Sequence, residues 1–153
     1  MRLVTASHGG RAVATGDARP HRRKRGQSLV EFALILPAFL MIVFGIVDFG
    51  LAFDASLTIG NAAREGARVG VTNPSTSAIS ARVREVAGRL NDGRLTITVS
   101  CKTATGAACP GGMAGATSGT TLAVAVGYSY PMITPIAFGT TIPLGSTVQM
   151  RVE

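Results

Sequence analysis

The chain has 153 residues, and its 15 Lys and Arg against 8 Asp and Glu give a formal charge of +7 that is concentrated at one end. Residues 1–26 hold seven basic side chains and one acidic one, whereas the other 127 residues are nearly neutral at +1. Both histidines, His8 and His21, lie in that basic segment. The rest of the chain therefore lacks a histidine base and a histidine zinc ligand, and the sequence predicts no enzyme activity, catalytic residue, metal, cofactor or small-molecule substrate.

An apolar run over residues 32–53 follows the basic cluster 22–25 and contains one charged residue, Asp48. As a helix these 22 residues would measure about 33 Å, which spans a hydrocarbon core of roughly 30 Å. The remaining chain has too few large apolar residues to enclose such a helix as a core element. A secretory signal peptide fits less well, because its apolar region is usually only ~7–15 residues long and no good cleavage site follows this run.

The sequence thus predicts a single-pass protein of the cytoplasmic (inner) membrane. The basic cluster keeps the N-terminus cytoplasmic and leaves the C-terminus exported. Because this topological role accounts for the cluster, nucleic-acid binding is not expected. Asp48 has two interpretations: it reaches the outer headgroups, or it makes a polar contact with another membrane helix.

Beyond the apolar run, polar residues recur at steps of four and three, as they do along one face of a helix. These residues are Asp54, Thr58, Asn61, Glu65 and Arg68. The pattern predicts one continuous helix from about residue 28 to 69. Arg64, Glu65 and Arg68 are either a solvated face or possible subunit contacts. A second helix is predicted from residue 75 or 76 to about residue 90, where the residues Asn91, Asp92 and Gly93 stop it.

Three strands follow, over residues 95–101, 121–130 and 146–152, and predict a small antiparallel sheet. The expected fold class is α+β with a pilin-like arrangement, and residues 102–120 form a loop rich in Gly, Ala and Thr. The only cysteines, Cys101 and Cys109, lie in the exported part and are expected to form a disulfide worth roughly 2 to 3 kcal/mol. Free thiols are the main alternative.

The junction before the apolar run resembles the leader of type IV prepilins. Gly26 stands between the basic cluster and the helix, and Glu31 follows five residues later. In such proteins a prepilin peptidase cuts after the glycine, and an acid stands at the fifth mature position. The resemblance implies a processing site between Gly26 and Gln27, with the basic cytoplasmic leader 1–26 removed.

The acid Glu31 near the start of a membrane helix also has a physical explanation if the leader is removed. A carboxylate carried to the bilayer centre costs on the order of 2.5 to 3.5 kcal/mol, by analogy with Asp, and less near the interface. After cleavage the ammonium of Gln27 would lie one helical turn away, and a neighbouring subunit's ammonium could also pair with Glu31. Such helix pairing would set the register between subunits. The alternative is that Glu31 extends to the lipid headgroups.

Three stretches together resemble the TadE-like family, the pilin-like proteins of tight-adherence (Tad, or Flp) pilus systems: RGQSLVEFALILP at 25–37, GIVDFG at 45–50 and NAAREGAR at 61–68. The resemblance implies a non-catalytic minor pilin or pseudopilin that takes part in pilus assembly and adhesion. Its partners would be the membrane, a prepilin peptidase, other pilin-like subunits and the Tad secretion and assembly machinery.

The implied organisation is a leader at 1–26, a TadE-like helix at 27–70 and a small exported α+β module at 71–153. Incorporation into an extracellular pilus is a further possibility under the same resemblance. The alternative from a different class is an uncleaved single-pass cell-envelope protein whose exported module binds a partner or a surface. The N-terminus of the membrane-extracted protein discriminates between them.

Overall fold

The computed structural model describes residues 24–133 and 139–153, with residues 24 and 25 described by their backbone alone. Nearly all of the expected leader therefore lies outside the described residues. The elements are helix α1 (Lys24–Thr72), helix α2 (Thr76–Val86) and strands β1 (Leu95–Lys102), β2 (Thr121–Pro131) and β3 (Thr141–Arg151). Short 3-10 turns occupy Asp92–Arg94 and Gly112–Gly115. This order confirms the predicted α+β class.

The chain divides into two compact units, one ending at Ala38 and one covering Phe39–Glu153. The described part of the first unit is helical, and its side chains are exposed except at Leu36, which is half-buried. The second unit holds the rest of α1, α2 and the sheet. Its core is one cluster of buried apolar side chains drawn mainly from both helices and β2, against which half-buried side chains of β1 and β3 pack.

The sheet is antiparallel, with β2 in the centre and β1 and β3 at its edges. Along β2, side chains alternate between buried and half-buried, because successive residues of a strand point to opposite faces. Leu122, Val124 and Val126 are almost completely buried on the inner face. The outer face is formed mainly by Thr, Ser, Ala and Gly, so within the described ranges the core lies on the inner side of the sheet.

Helix α1 meets this core through small residues. Ala52, Ala55 and Ala62 are buried, as are the adjacent Ala63 and, one turn further on, Ala67. At Gly66 an added Cβ atom would lie 2.5 Å from Cγ2 of Val83, and at Gly70 it would lie 2.8 Å from Cδ1 of Ile79. The absence of a side chain at the two glycines therefore permits the close approach of α1 to α2.

Helix α1 begins four residues before and ends three residues after its predicted bounds. Beyond α1, two predicted boundaries differ from the observed ones by four residues or more. α2 ends at Val86, whereas the sequence placed its end near Leu90. Gly88 weakens the last turn, yet Leu90 still packs against the core, so the periodicity indicated the apolar face but not the helix end. β3 begins at Thr141, five residues before the predicted start. Pro143 lies within β3, and an edge strand accommodates proline.

Candidate site: the surface and polar contacts of the first helix

Large apolar side chains are exposed along the first half of α1. This helix, over Gly26–Thr72, is the one candidate membrane span among the described residues, on the criteria of length and composition. Leu34 is 75 % exposed and Ile46 is 68 % exposed, and many phenylalanine, leucine, isoleucine and valine side chains between them are also exposed. Such a helix fits a single-pass membrane protein, because its apolar surface is exposed among the residues that the structure describes.

The start of this helix places the predicted processing residues next to the acid. Nε2 of Gln27 donates a hydrogen bond to Oε1 of Glu31 at 3.2 Å, across one helical turn. An added Cβ atom at Gly26 would have nothing within 4 Å. Gln27 and Glu31 therefore lie on one face of α1 at hydrogen-bonding distance, with the glycine directly before them.

Asp48 is buried in the second unit, with 2 % of its surface exposed. Its Oδ1 atom accepts a hydrogen bond of 2.8 Å from the backbone N–H of Ile133, a residue 85 positions later. Burial, with a smaller contribution from the Asp48 carboxylate, raises the pKa of the nearby Tyr130 hydroxyl above its ordinary value. The sequence predicted that Asp48 interacts with lipid headgroups or with another membrane helix. Nothing in the sequence indicated a hydrogen bond from the β2–β3 connection of the same chain.

The contact of Asp48 with another membrane helix stays a prediction. What the structure adds is that the chain itself supplies a donor to this carboxylate. A buried carboxylate without donors would be costly, and the Ile133 N–H removes part of that cost.

In the NAAREGAR stretch, Glu65 joins the two helices. Its Oε2 atom lies 2.9 Å from Nη2 of Arg68 on α1 and 3.1 Å from Nη2 of Arg82 on α2. Arg82 also pairs with Glu85, at 3.0 Å. The hydrogen bond from Arg68, followed by the one from Arg82, lowers the pKa of Glu65, while Glu65 raises the pKa of Arg68. Glu65 is therefore engaged within the chain.

The other two members of that predicted group are placed differently. Arg64 is exposed and donates to the side-chain oxygen of Asn61 at 3.1 Å. Arg68 keeps 67 % of its side chain exposed while it pairs with Glu65. Both guanidinium groups are thus accessible on the surface of α1, and their role as subunit contacts stays a prediction.

A second polar contact joins the turn that follows α2 to α1. Nη2 of Arg89 lies 3.6 Å from Oδ1 of Asp54 and 3.5 Å from the hydroxyl of Thr58. Thr58, which is buried, also donates to the backbone carbonyl of Asp54 at 2.9 Å. The polar face predicted from spacing therefore borders the surface on which α2 packs, an arrangement that the periodicity of α1 alone did not indicate.

The two cysteines form a disulfide between the end of β1 and the loop that follows it. The Cα atoms of Cys101 and Cys109 are 5.4 Å apart, and both residues are buried. The backbone N–H of Cys109 also donates to the carbonyl of Cys101 at 3.1 Å. The predicted cysteine pair is thereby supported.

Comparison with known proteins identifies one segment. The family model described as TadE-like protein matches residues 26–68. No curated protein and no solved structure matches the chain significantly. The matched segment starts at the predicted processing glycine and ends at Arg68, and the family suggests a pilin-like protein associated with Tad pili. The chain thus carries a TadE-like segment at residues 26–68, which confirms the resemblance predicted from its three motifs.

Proposed function

We propose that this chain is a non-catalytic minor pilin or pseudopilin of a Tad (Flp) pilus system, processed by a prepilin peptidase after Gly26. The observation that carries the proposal is the arrangement at the start of α1, where Gly26, Gln27 and Glu31 begin a helix with an exposed apolar surface. The TadE-like match over the same residues supports it. Other proteins would perform the cleavage and the energy-consuming steps.

The distance between Gln27 and Glu31 supports a defined role for the acid. Cleavage would convert the backbone N–H of Gln27 into an ammonium group on a residue whose side chain already reaches Glu31. A carboxylate and an ammonium group one helical turn apart reduce each other's cost in an apolar environment. Within an assembly, the ammonium of a neighbouring subunit would make the same pair and set the axial register.

The exposed apolar surface of α1 would then serve in two environments. In the membrane it contacts lipid chains, and in an assembled bundle it contacts the equivalent helices of other subunits. The α+β module at 71–153 lies on the exported side of the membrane, and Arg64 and Arg68 are exposed on α1 to meet neighbouring subunits. Adhesion and incorporation into the finished pilus belong to this same proposal.

The N-terminus of the protein extracted from cell membranes tests the proposal. We expect the intact mass to show a chain that begins at Gln27 in cells that contain a prepilin peptidase. The variant Gly26→Val should keep residues 1–26, because the peptidase requires a small residue before the cut. Intact mass gives a clear result even if Gln27 cyclises and blocks chemical sequencing.

Gly45→Val is the matched control. Gly45 lies in the same helix, and an added Cβ atom there also has nothing within 4 Å, so this variant should be processed as the unmodified protein is. If the unmodified protein retains Met1 in cells with an active peptidase, processing is disproved and the uncleaved envelope protein becomes the better interpretation.

A further inference from the structure

Along α1 from its N-terminal end, Asp48 is the first residue whose side chain is buried by the rest of the second unit. Ile46 and Val47 immediately before it are well exposed, while Asp48 is 2 % exposed and Ala52 and Ala55 beyond it are buried. The carboxylate of Asp48 accepts the 2.8 Å hydrogen bond from the backbone N–H of Ile133. The β2–β3 connection is therefore fixed at a level of α1 that still belongs to the apolar run of residues 32–53.

Residues 131–133 at this level are uncharged and lead to an exposed apolar side chain. The side chain of Ile133 is 56 % exposed although its backbone is held by Asp48. The backbone N–H of Met132 donates to the carbonyl of Thr140 at 3.1 Å, which closes the base of the connection. We call residues 131–133 the sheet tip.

The two ends of the β2–β3 hairpin differ in charge. At the end far from the tip, Thr121 of β2 pairs with Lys102 of β1 and with Arg151 of β3. At the tip end, Pro131 pairs with Thr141, and the sequence contains no charged residue between Lys102 and Arg151. The hairpin is therefore uncharged at its tip and charged at its other end, whereas β1 enters the sheet at the tip end directly after Arg94.

Helix α1 is also apolar at the level of the tip. Phe49 is 75 % exposed and Phe53 is 59 % exposed, and both lie on turns of the helix that the folded unit covers on its other side. Apolar side chains are thus exposed at one level on both the helix and the sheet tip. Together they form an apolar layer, which is more than one isolated exposed residue. The layer is continuous along α1 with the candidate membrane span.

We propose that the sheet tip is a second membrane contact, which inserts Ile133 between the headgroups and acyl chains of the bilayer that α1 crosses. Asp48 acts as a positioning residue, because its carboxylate holds the Ile133 backbone at the membrane surface. The occupant of this surface is lipid. The proposal rests on the membrane crossing by α1 and is independent of leader cleavage and of any role in pili.

Tryptophan fluorescence tests the proposal directly, because the chain has no tryptophan of its own. The full chain carrying Ile133→Trp is reconstituted into vesicles of phosphatidylcholine and phosphatidylglycerol, with or without bromine on the acyl chains. Since an interfacial group lies roughly 5 to 10 Å deep, bromine near the headgroup end of the chain should quench this tryptophan by about twofold or more. Ile133 is exposed, so the substitution does not disturb the core.

Two further single-tryptophan variants complete the experiment. Phe39→Trp lies in the apolar run and should be quenched, which shows that α1 is inserted. Ser118→Trp, exposed just before the far end of β2, should be quenched by aqueous iodide and not by brominated lipid. If Phe39→Trp is quenched by bromine and Ile133→Trp is not, the sheet-tip contact is wrong while the membrane crossing stands. Protection of Ile133→Trp from iodide without bromine quenching would indicate a protein neighbour and would also overturn it.

Discussion

Two stretches of α1 contain apolar residues of different size, and the difference corresponds to two environments. Residues 39–47 present large side chains such as Phe39, Phe44 and Ile46, which are exposed. From residue 48 onward, the covered side of the helix consists mainly of alanine and glycine, and Ile59 is the large exception. Large side chains suit lipid or a helix bundle, whereas small ones allow a helix to approach a sheet and a second helix closely.

The comparison shows how one helix combines an exposed apolar surface that fits a membrane with a surface that packs in the core. Hydropathy alone does not separate the two stretches, because alanine is apolar as well. The separation becomes visible in the packing, where an added Cβ atom at Gly66 would collide with Val83, while one at Gly50 would meet nothing within 4 Å. Side-chain size therefore distinguishes the helix surface that packs within the chain from the surface that remains available.

The largest effect is expected from removing a core side chain that α1 covers. Leu122 is completely buried on β2, and Leu122→Ala should lower the free energy of unfolding by about 2 to 5 kcal/mol. Near-ultraviolet circular dichroism in detergent micelles gives the readout, because the two tyrosines of the chain, Tyr128 and Tyr130, both lie in β2.

Leu34→Ala is the control for that measurement. Leu34 is exposed on α1 and belongs to the first unit, so its truncation should leave the denaturation midpoint of the tyrosine signal unchanged. Equal losses in both variants would show that the exposed apolar surface contributes to the core, and the distinction between the two stretches would fail.

A smaller loss of stability is expected from adding a methyl group on the buried side of α1. Gly66→Ala places a methyl group 2.5 Å from Cγ2 of Val83, and overpacking of this kind typically costs about 1 to 3 kcal/mol. The control is Gly50→Ala, which meets no neighbouring atom and should stabilise the helix by up to about 1 kcal/mol. Opposite signs in the two unfolding curves would support the comparison, and a stabilising Gly66→Ala would contradict it.

The sequence predicted the α+β class, the strand order in the chain and the matched family segment. These features depend on local periodicity and on motifs, such as the alternation in residues 95–101, that can be recognised without knowing the tertiary structure. The end of α2 near Gly88 and the start of β3 before Pro143 were placed wrongly, because each depends on how the local breakers are accommodated in the folded sheet.

The contacts of the candidate site were less predictable. Gln27 and Glu31 are four residues apart, so their contact follows from helix geometry. Asp48 and Ile133 are 85 residues apart, and the pairing of Glu65 with Arg82 also depends on how α2 folds back onto α1. A single sequence indicates that a buried carboxylate requires a donor, but it does not indicate which distant residue provides one.

The smallest loss of stability is expected from removing the polar contact between α1 and α2. The pKa of Glu65 is lowered in the folded protein, first by Arg68 and then by Arg82. Its contribution to stability is therefore complete above the ordinary pKa of glutamate and is lost as the pH falls through the lowered, folded-state value. Glu65→Gln should slightly reduce the denaturation midpoint at neutral pH, and this difference from the unmodified protein should shrink in acid.

Glu85→Gln provides the comparison for this pH dependence. Glu85 pairs with Arg82 within α2, at the i,i+3 spacing, and most of its side chain is exposed. Its substitution leaves the link between the helices intact, so the loss at neutral pH should be smaller than for Glu65→Gln. If the midpoint difference of Glu65→Gln is the same at both pH values, the carboxylate does not hold the two helices together. The close apolar packing around Gly66 and Gly70 would then be sufficient to keep α2 on α1.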